Sequence, residues 1–172
     1  LNRSRAMRTA GEVMMEQGKL PEALSAFSLA GTAARKAVLR SPESSEALAE
    51  SGVTSYWLGY YHYRQRDIAQ ARKHWQDYLD ATERVMQRDS TTADNIVEVS
   101  YALNNLGTAA NVQGNIAEAM DYFQRSAALK RRALAMKPDD ESLRYDLVDT
   151  LSWISSGEET RGRLREAASE YA

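Results

Sequence analysis

Tyr101–Phe123, YALNNLGTAANVQGNIAEAMDYF, reads as two helical segments joined by a tight turn. Leu103, Leu106, Ala110 and Val112 give the first segment an apolar side, with Gly107 in its middle. Gly114 and Asn115 make the turn, and Ile116, Ala119, Met120 and Phe123 restart an apolar face at helical spacing. Neither helix can bury that face alone, so the pair needs neighbours.

The neighbours recur at a fixed distance. Shifted by 48 residues, Leu106 aligns with Ala10, Leu58 and Ile154, and Gly107 with Gly11, Gly59 and Ser155. Ile116 aligns with Leu20, Ile68 and Leu164, Ala119 with Ala23, Ala71 and Ala167, and Phe123 with Phe27, Trp75 and Tyr171. Gly114 aligns with Gly18 and Gly162, and Arg66 is the exception. A register that holds without a gap through four copies is the signature of a solenoid.

LNNLGTAANVQGNIAEAMDYF resembles a tetratricopeptide repeat. Leu103, Leu106, Gly107, Gly114, Ala119 and Phe123 match the family pattern, and Ala110 departs from it where the family has Tyr. The family period is about 34 residues, so a period of 48 lengthens each helix by about two turns. The resemblance implies an all-α, right-handed superhelical solenoid of about four antiparallel helix pairs. Its repeats fall at about 1–43, 44–91, 92–139 and 140–172, in one domain over 1–172 with the last repeat incomplete. Both ends read as cut, so the expectation is a fragment of a longer chain. The resemblance to extended repeats also suggests a bacterial source.

The chain has 172 residues, enough for a sizeable core when stacked. Charged residues are 27% and nearly balanced, with a formal charge of −2, which gives no global reason to bind nucleic acid or an anionic membrane. Cysteine is absent, which excludes disulfides and thiolate metal sites and fits a cytoplasmic setting. No apolar run reaches the ~18–20 residues of a membrane span.

Punctuation follows the same period. Pro21 suits a first helical turn, Ser41-Pro42-Glu43-Ser44 stops one helix and caps the next, and Asp67 can cap another. Asp89-Ser90-Thr91-Thr92 and Pro138-Asp139-Asp140 repeat that chemistry, and Gly162 is expected to turn the fourth pair. Gly11, Gly59 and Gly107 should face Ala23, Ala71 and Ala119, while Phe27, Trp75, Phe123 and Tyr171 should wedge between successive repeats.

A catalytic set is missing. His62 and His74 lie on different helices with no HExxH pattern, and His74 with Asp77 is better read as a polar helix face than as a metal site. No Gly-rich phosphate loop and no GxSxG elbow occur. Lys130-Arg131-Arg132 is a local basic run, not the sustained stripe that RNA binding needs. No catalytic residue, metal site or cofactor is expected, and no nucleic-acid or membrane partner.

What remains is the concave surface, which the resemblance assigns to the first helix of each pair. The second repeat supplies Tyr56, Tyr60, Tyr63 and Arg64, together with Val53 and Trp57. The third supplies Tyr101, Asn104, Asn105, Thr108 and Asn111. Val112 of the third, Arg5, Arg8, Thr9, Glu12, Met15 and Glu16 of the first, and Asp149, Ser152, Trp153, Ser156, Glu159 and Thr160 of the fourth complete the set. Tyrosine gives large contact area and a hydrogen-bonding tip at low entropy cost. Asparagine can donate to and accept from a peptide backbone at once. The resemblance places Asn105 where peptide-binding members hold the ligand main chain. Glu12 argues against the basic clamp that binds chaperone carboxylates. The leading expectation is a protein- or peptide-binding segment of a larger regulatory or signalling protein, acting as sensor or scaffold. Self-association as a homo-oligomer is the second, and substrate capture for a catalytic domain elsewhere is the third.

Overall fold

Three second-helix starts of the 48-residue register, Leu20, Ile68 and Ile116, coincide with real helix starts. The computed structural model describes the backbone of residues 1–170 and the side chains of residues 1–163. Its described residues form seven α-helices: α1 (Asn2–Glu16), α2 (Leu20–Arg40), α3 (Ser45–Arg64), α4 (Ile68–Arg88), α5 (Ala93–Val112), α6 (Ile116–Met136) and α7 (Glu141–Glu170). The fold is an all-α helical-repeat solenoid, with α1/α2, α3/α4 and α5/α6 as antiparallel pairs.

The three tight turns are built alike. Lys19 N–H donates to Met14 O, Asp67 N–H to His62 O and Asn115 N–H to Ala110 O, each at 2.9 Å. This is the reversal that needs one residue in the left-handed region. Gly18 and Gly114 take it at φ 72° and 77°, and Arg66 takes it at φ 62°. The sequence exception is therefore a side chain held where glycine belongs, with the turn unchanged. Ser44 accepts from Ala47 N–H at 3.1 Å, Asp67 from Gln70 N–H at 3.2 Å and Asp140 from Leu143 N–H at 2.9 Å, so these residues cap as their type predicts. Thr92 makes no side-chain capping bond.

Pairing rests on two layers. In the first, a Cβ on Gly11, Gly59 or Gly107 would meet Phe27, Trp75 or Phe123 at 2.6, 2.4 and 2.6 Å. The glycines thus seat the aromatic of their own pair. The second layer lies two turns earlier, at Ser4, Gly52 and Ser100, against Ala30, Tyr78 and Ser126. Ser4 Oγ donates to Ala30 O at 3.0 Å and Ser126 Oγ to Ser100 O at 2.8 Å, while a Cβ on Gly52 would stand 3.3 Å from Tyr78. Small residues face each other as hydroxyl bonds, and the one large ring faces the one glycine. This second layer occupies the length that the long repeat adds.

Successive pairs lock through the same aromatics. Phe27 stacks on Trp57 at 5.7 Å, and Phe123 stacks on Trp153 at 6.0 Å. The loops are pinned from the following pair: Arg84 donates to Pro42 O and Arg132 to Ser90 O, each at 3.0 Å. These arginines are 48 residues apart, as are their acceptors.

The fourth pair differs from expectation. α7 runs as a single 30-residue helix straight through Gly162. Glycine permits a reversal without compelling one, and helical hydrogen bonding continues across it. Leu164, Ala167 and Tyr171, which the register assigned to a second helix, have side chains outside the described residues. The repeats gather into two units, Leu1–Asp89 and Ser90–Ala172. In the first, α2 packs on α3 as well as on α1; in the second, α7 packs on α6.

Candidate functional site

The expected surface residues divide between the two units. In the first unit α3 is anchored by Leu48, Thr54, Leu58 and Gly59, all buried. That anchoring leaves Tyr56, Trp57, Tyr60 and Tyr63 half-buried. Tyr56 and Tyr60 stack at 6.2 Å with 12° between their planes, and Trp57 stands edge-on to both at 5.3 and 5.9 Å. Tyr63 does not join them; it tilts onto Trp75 at 5.5 Å. Helical geometry explains the split. Seven residues return a side chain to within about 20° of its starting direction, whereas four carry it about 40° past. Tyr56 and Tyr63 therefore keep the side toward α4, where Tyr56 also meets Tyr78 at 5.8 Å. Tyr60 turns away from α4, and Arg64 lies over its ring at 5.8 Å and donates to its hydroxyl at 3.1 Å.

Arg5, Arg8 and Glu12 of α1 are paired. Glu50, 5% exposed, accepts from Ser4 Oγ at 2.9 Å and Arg8 Nε at 3.3 Å, with Arg5 Nε at 3.7 Å. Arg5 also reaches Glu46 at 2.8 Å, and Arg8 pairs with Glu12. Glu50 was missed by the sequence reading. Its signal was the register, which puts an acid at Glu50, Glu98 and Asp146.

In the second unit a buried lysine organises two of the expected residues. Lys130 is 1% exposed and donates to Thr150 Oγ1 at 2.7 Å and Asp146 O at 3.0 Å, with its ammonium 5.5 Å from the Tyr101 ring centroid. Burial pushes the Lys130 pKa down, against the pull of Asp146 and Asp149. Tyr101 donates to Asp146 Oδ2 at 2.6 Å, and burial, then that bond, raises its pKa. Asn104 Oδ1 lies 3.2 Å from Thr150 Oγ1. Tyr101 and Asn104 thus belong to an internal network as much as to a surface. The expected basic run loses Lys130 to the interior and Arg132 to Ser90 O. The register carried the clue, since Lys130 stands in the place of Ala34 and Thr82, both buried.

Three α5 residues remain. Thr108 Oγ1 donates to Asn104 O at 3.0 Å within the helix. Asn105 and Asn111 are half-buried, and among the described residues their side-chain amides have no hydrogen-bond partner. Asn105 occupies the register place of Trp57 and Trp153.

No described group of three or more His, Asp or Glu could hold a metal ion. His62 and His74 stack at 5.4 Å, with His62 Nδ1 3.6 Å from Asp67 and His74 Nδ1 3.9 Å from Asp77. Burial, then His62, lowers the His74 pKa to about 4. Burial, then Asp80, raises that of Asp77. No described helix is long and apolar enough to cross a membrane.

Residues 99–140 match the sequence model of the tetratricopeptide repeat family. No curated protein matches the sequence. Solved structures that the fold resembles include the first tetratricopeptide domain of Spaghetti (RPAP3) bound to an HSP90 peptide, at 13% identity and TM-score 0.46, covering 90% of this chain and 94% of that one. A MamA RS-1 double mutant follows at 12% identity and TM-score 0.27, covering 94% and 97%. Another MamA structure has 16% identity and TM-score 0.27, covering 94% of each chain.

Proposed function

We propose, from the match of residues 99–140 to the tetratricopeptide repeat family and the 48-residue register that extends it along the chain, that this protein is a non-catalytic protein-interaction module. The first helix of each pair presents the binding face for a peptide or an extended segment of a partner protein. The observation that carries this reading is the pair of half-buried amides, Asn105 and Asn111, without hydrogen-bond partners on α5. Each carboxamide keeps its polar atoms within reach of water, with neither donor nor acceptor engaged by the described residues. A passing main chain would satisfy both its donor and its acceptor. The first unit offers an apolar contact of its own in the Tyr56, Trp57 and Tyr60 rings, with Arg64 over Tyr60. Tyr63, Tyr101 and Asn104 act here mainly as supports, and Thr108 lies between the two amides in the chain. The module serves as a sensor or scaffold segment of a larger regulatory protein.

A peptide-library screen tests this. Wild type should retain a set of peptides, and Asn105→Ala should lose affinity for them by about threefold to tenfold while keeping its helical circular dichroism. A library from which wild type retains nothing overturns the proposal. A second reading, pairing between copies, is favoured by the exposed Tyr145 and Val148 of α7, 75% and 64% exposed. Light scattering over a concentration series tests it by a change in mass.

A further inference from the structure

The first unit holds a hollow that the interaction reading does not use. It lies where α2, α3 and α4 meet and has a volume of about 220 Å³. Sites for drug-sized ligands run to about 300–1,000 Å³, so this one suits a smaller molecule. The register explains the space. Ser51 and Ser55, one turn apart on α3, line it, and the same two places on α5 carry Val99 and Leu103, both buried. Two short hydroxyl side chains thus stand where two aliphatic ones would fill. Neither hydroxyl makes a hydrogen bond among the described residues. Val38, Leu48 and Ala81 supply an apolar lining.

The hollow carries both signs of charge without joining them. Arg35 of α2 lines it, as do Asp77, Asp80 and Arg84 of α4. Arg35 makes no ion pair among the described residues, and its one hydrogen bond is to Thr32 Oγ1 at 3.5 Å. Arg84 donates to Pro42 O at 3.0 Å and Asp80 accepts from Gln76 Nε2 at 2.8 Å, so both have neutral partners. Asp77 lies 3.9 Å from His74 Nδ1, and His74, with a pKa of about 4, is neutral at pH 7. Burial, then Asp80, raises the Asp77 pKa, against the pull of Lys73 and Arg35. Arg35 therefore acts on Asp77 from beyond ion-pair distance.

These charges select a ligand. An anion would meet the arginines but be opposed by two carboxylates, and a cation would meet the reverse. A molecule with both an ammonium and a carboxylate answers both, and an α-amino acid carries the two on one carbon. Its ammonium has only donors, for the carboxylates, and its carboxylate only acceptors, for guanidinium and hydroxyl. A neutral aliphatic side chain adds no third charge and packs on Val38, Leu48 and Ala81. We propose that this hollow binds a free, neutral aliphatic α-amino acid, with Asp77 and Asp80 taking its ammonium, and Arg35 and the Ser51 and Ser55 hydroxyls its carboxylate.

The test titrates the full chain with L-leucine to about 10 mM, following the backbone amide resonances of Ser51, Ser55 and Asp80. N-acetyl-L-leucine, which lacks the ammonium, and L-leucinamide, which lacks the carboxylate, are the comparisons. L-leucine should shift the resonances saturably, and each blocked analogue should bind at least about tenfold more weakly. Arg35→Gln and Asp77→Asn, both at exposed positions, should keep the helical circular dichroism and each weaken L-leucine about tenfold. Ser51→Val with Ser55→Leu installs the side chains that α5 carries at those places. It should keep the fold, fill the hollow and abolish the Asp80 shift. No saturable shift with L-leucine, an analogue that binds as tightly as L-leucine, or undiminished binding by the filled variant overturns the proposal.

Discussion

Alanine at Gly107 should destabilise the protein and alanine at Gly162 should stabilise it, although both glycines lie inside helices. Propensity alone favours alanine at each site by about 1 kcal/mol. At Gly107 the new Cβ would lie 2.6, 2.8 and 3.0 Å from Cε1, Cδ1 and Cζ of Phe123, where ordinary contact begins at 3.4 Å. The ring would have to retreat by on the order of 1 Å. It has nowhere to go: Phe123 is 2% exposed and stacks on Trp153 at 6.0 Å. Overpacking of this kind costs about 1–3 kcal/mol, which outweighs the propensity gain. At Gly162 no described atom lies within 4 Å of the new Cβ, so the gain survives. Urea unfolding followed by circular dichroism and tryptophan fluorescence should put the two variants on opposite sides of wild type. The gap should be about 1–3 kcal/mol, or several degrees in Tm for a unit of this size. Equal upward shifts for both variants would refute the close-approach account.

Four further outcomes follow from the same geometry. Arg66→Gly should stabilise by about 1 kcal/mol in urea unfolding, because it relieves a side chain held at φ 62°. The folded His74 pKa of about 4 lies below its ordinary 6.5, so the unfolded chain takes up the proton first. Stability is therefore full above pH 6.5 and is lost as pH falls toward 4, by roughly 1–2 kcal/mol given the partial solvent contact of the ring, and His74→Gln should flatten that slope. Thr150→Val should cost about 1–3 kcal/mol while Lys130 remains, and much less once Lys130→Met has removed the buried ammonium, which a double-mutant cycle reads directly. Arg132→Ala should raise hydrogen exchange in the loop around Ser90 with little change in global stability, because Arg132 pins that loop through the Ser90 carbonyl.

The repeat register made the helix pairs legible. Gly18 and Gly114 mark turns because the reversal needs a left-handed residue, and the alignment located the third turn at Arg66 in spite of its side chain. Phe27 and Phe123 were readable as inter-repeat wedges for the same reason, since a large aromatic in a fixed slot must be buried somewhere. The ring against each Gly was not foreseen, because sequence gives the spacing of the small residues and not the direction from which a ring arrives. Lys130 was hidden by its neighbours: Lys130-Arg131-Arg132 looks solvated until the column Ala34, Thr82, Lys130 is read down the repeats. Gly162 shows the opposite failure. A residue that allows a turn was read as one that makes it, although the outcome depends on packing beyond the local sequence. Of the expected surface, Tyr56 and Tyr60 stayed together, Tyr63 left for Trp75, and Tyr101 and Asn104 were drawn into the lysine network. Only contacts with α4, α6 and α7 decide those three, and composition carries no trace of them.

The account stands most directly on whether the unpaired side chains of α3 and α5 meet a ligand. The measurement is the set of side-chain resonances of Asn105, Asn111 and Trp57 on adding peptides selected from the library, with the exposed Gln70 and Gln87 of α4 as references. Saturable shifts at Asn105 and Asn111, or at Trp57, with both glutamines unmoved, are the predicted result. Selected peptides that bind while all three resonances stay fixed would contradict it.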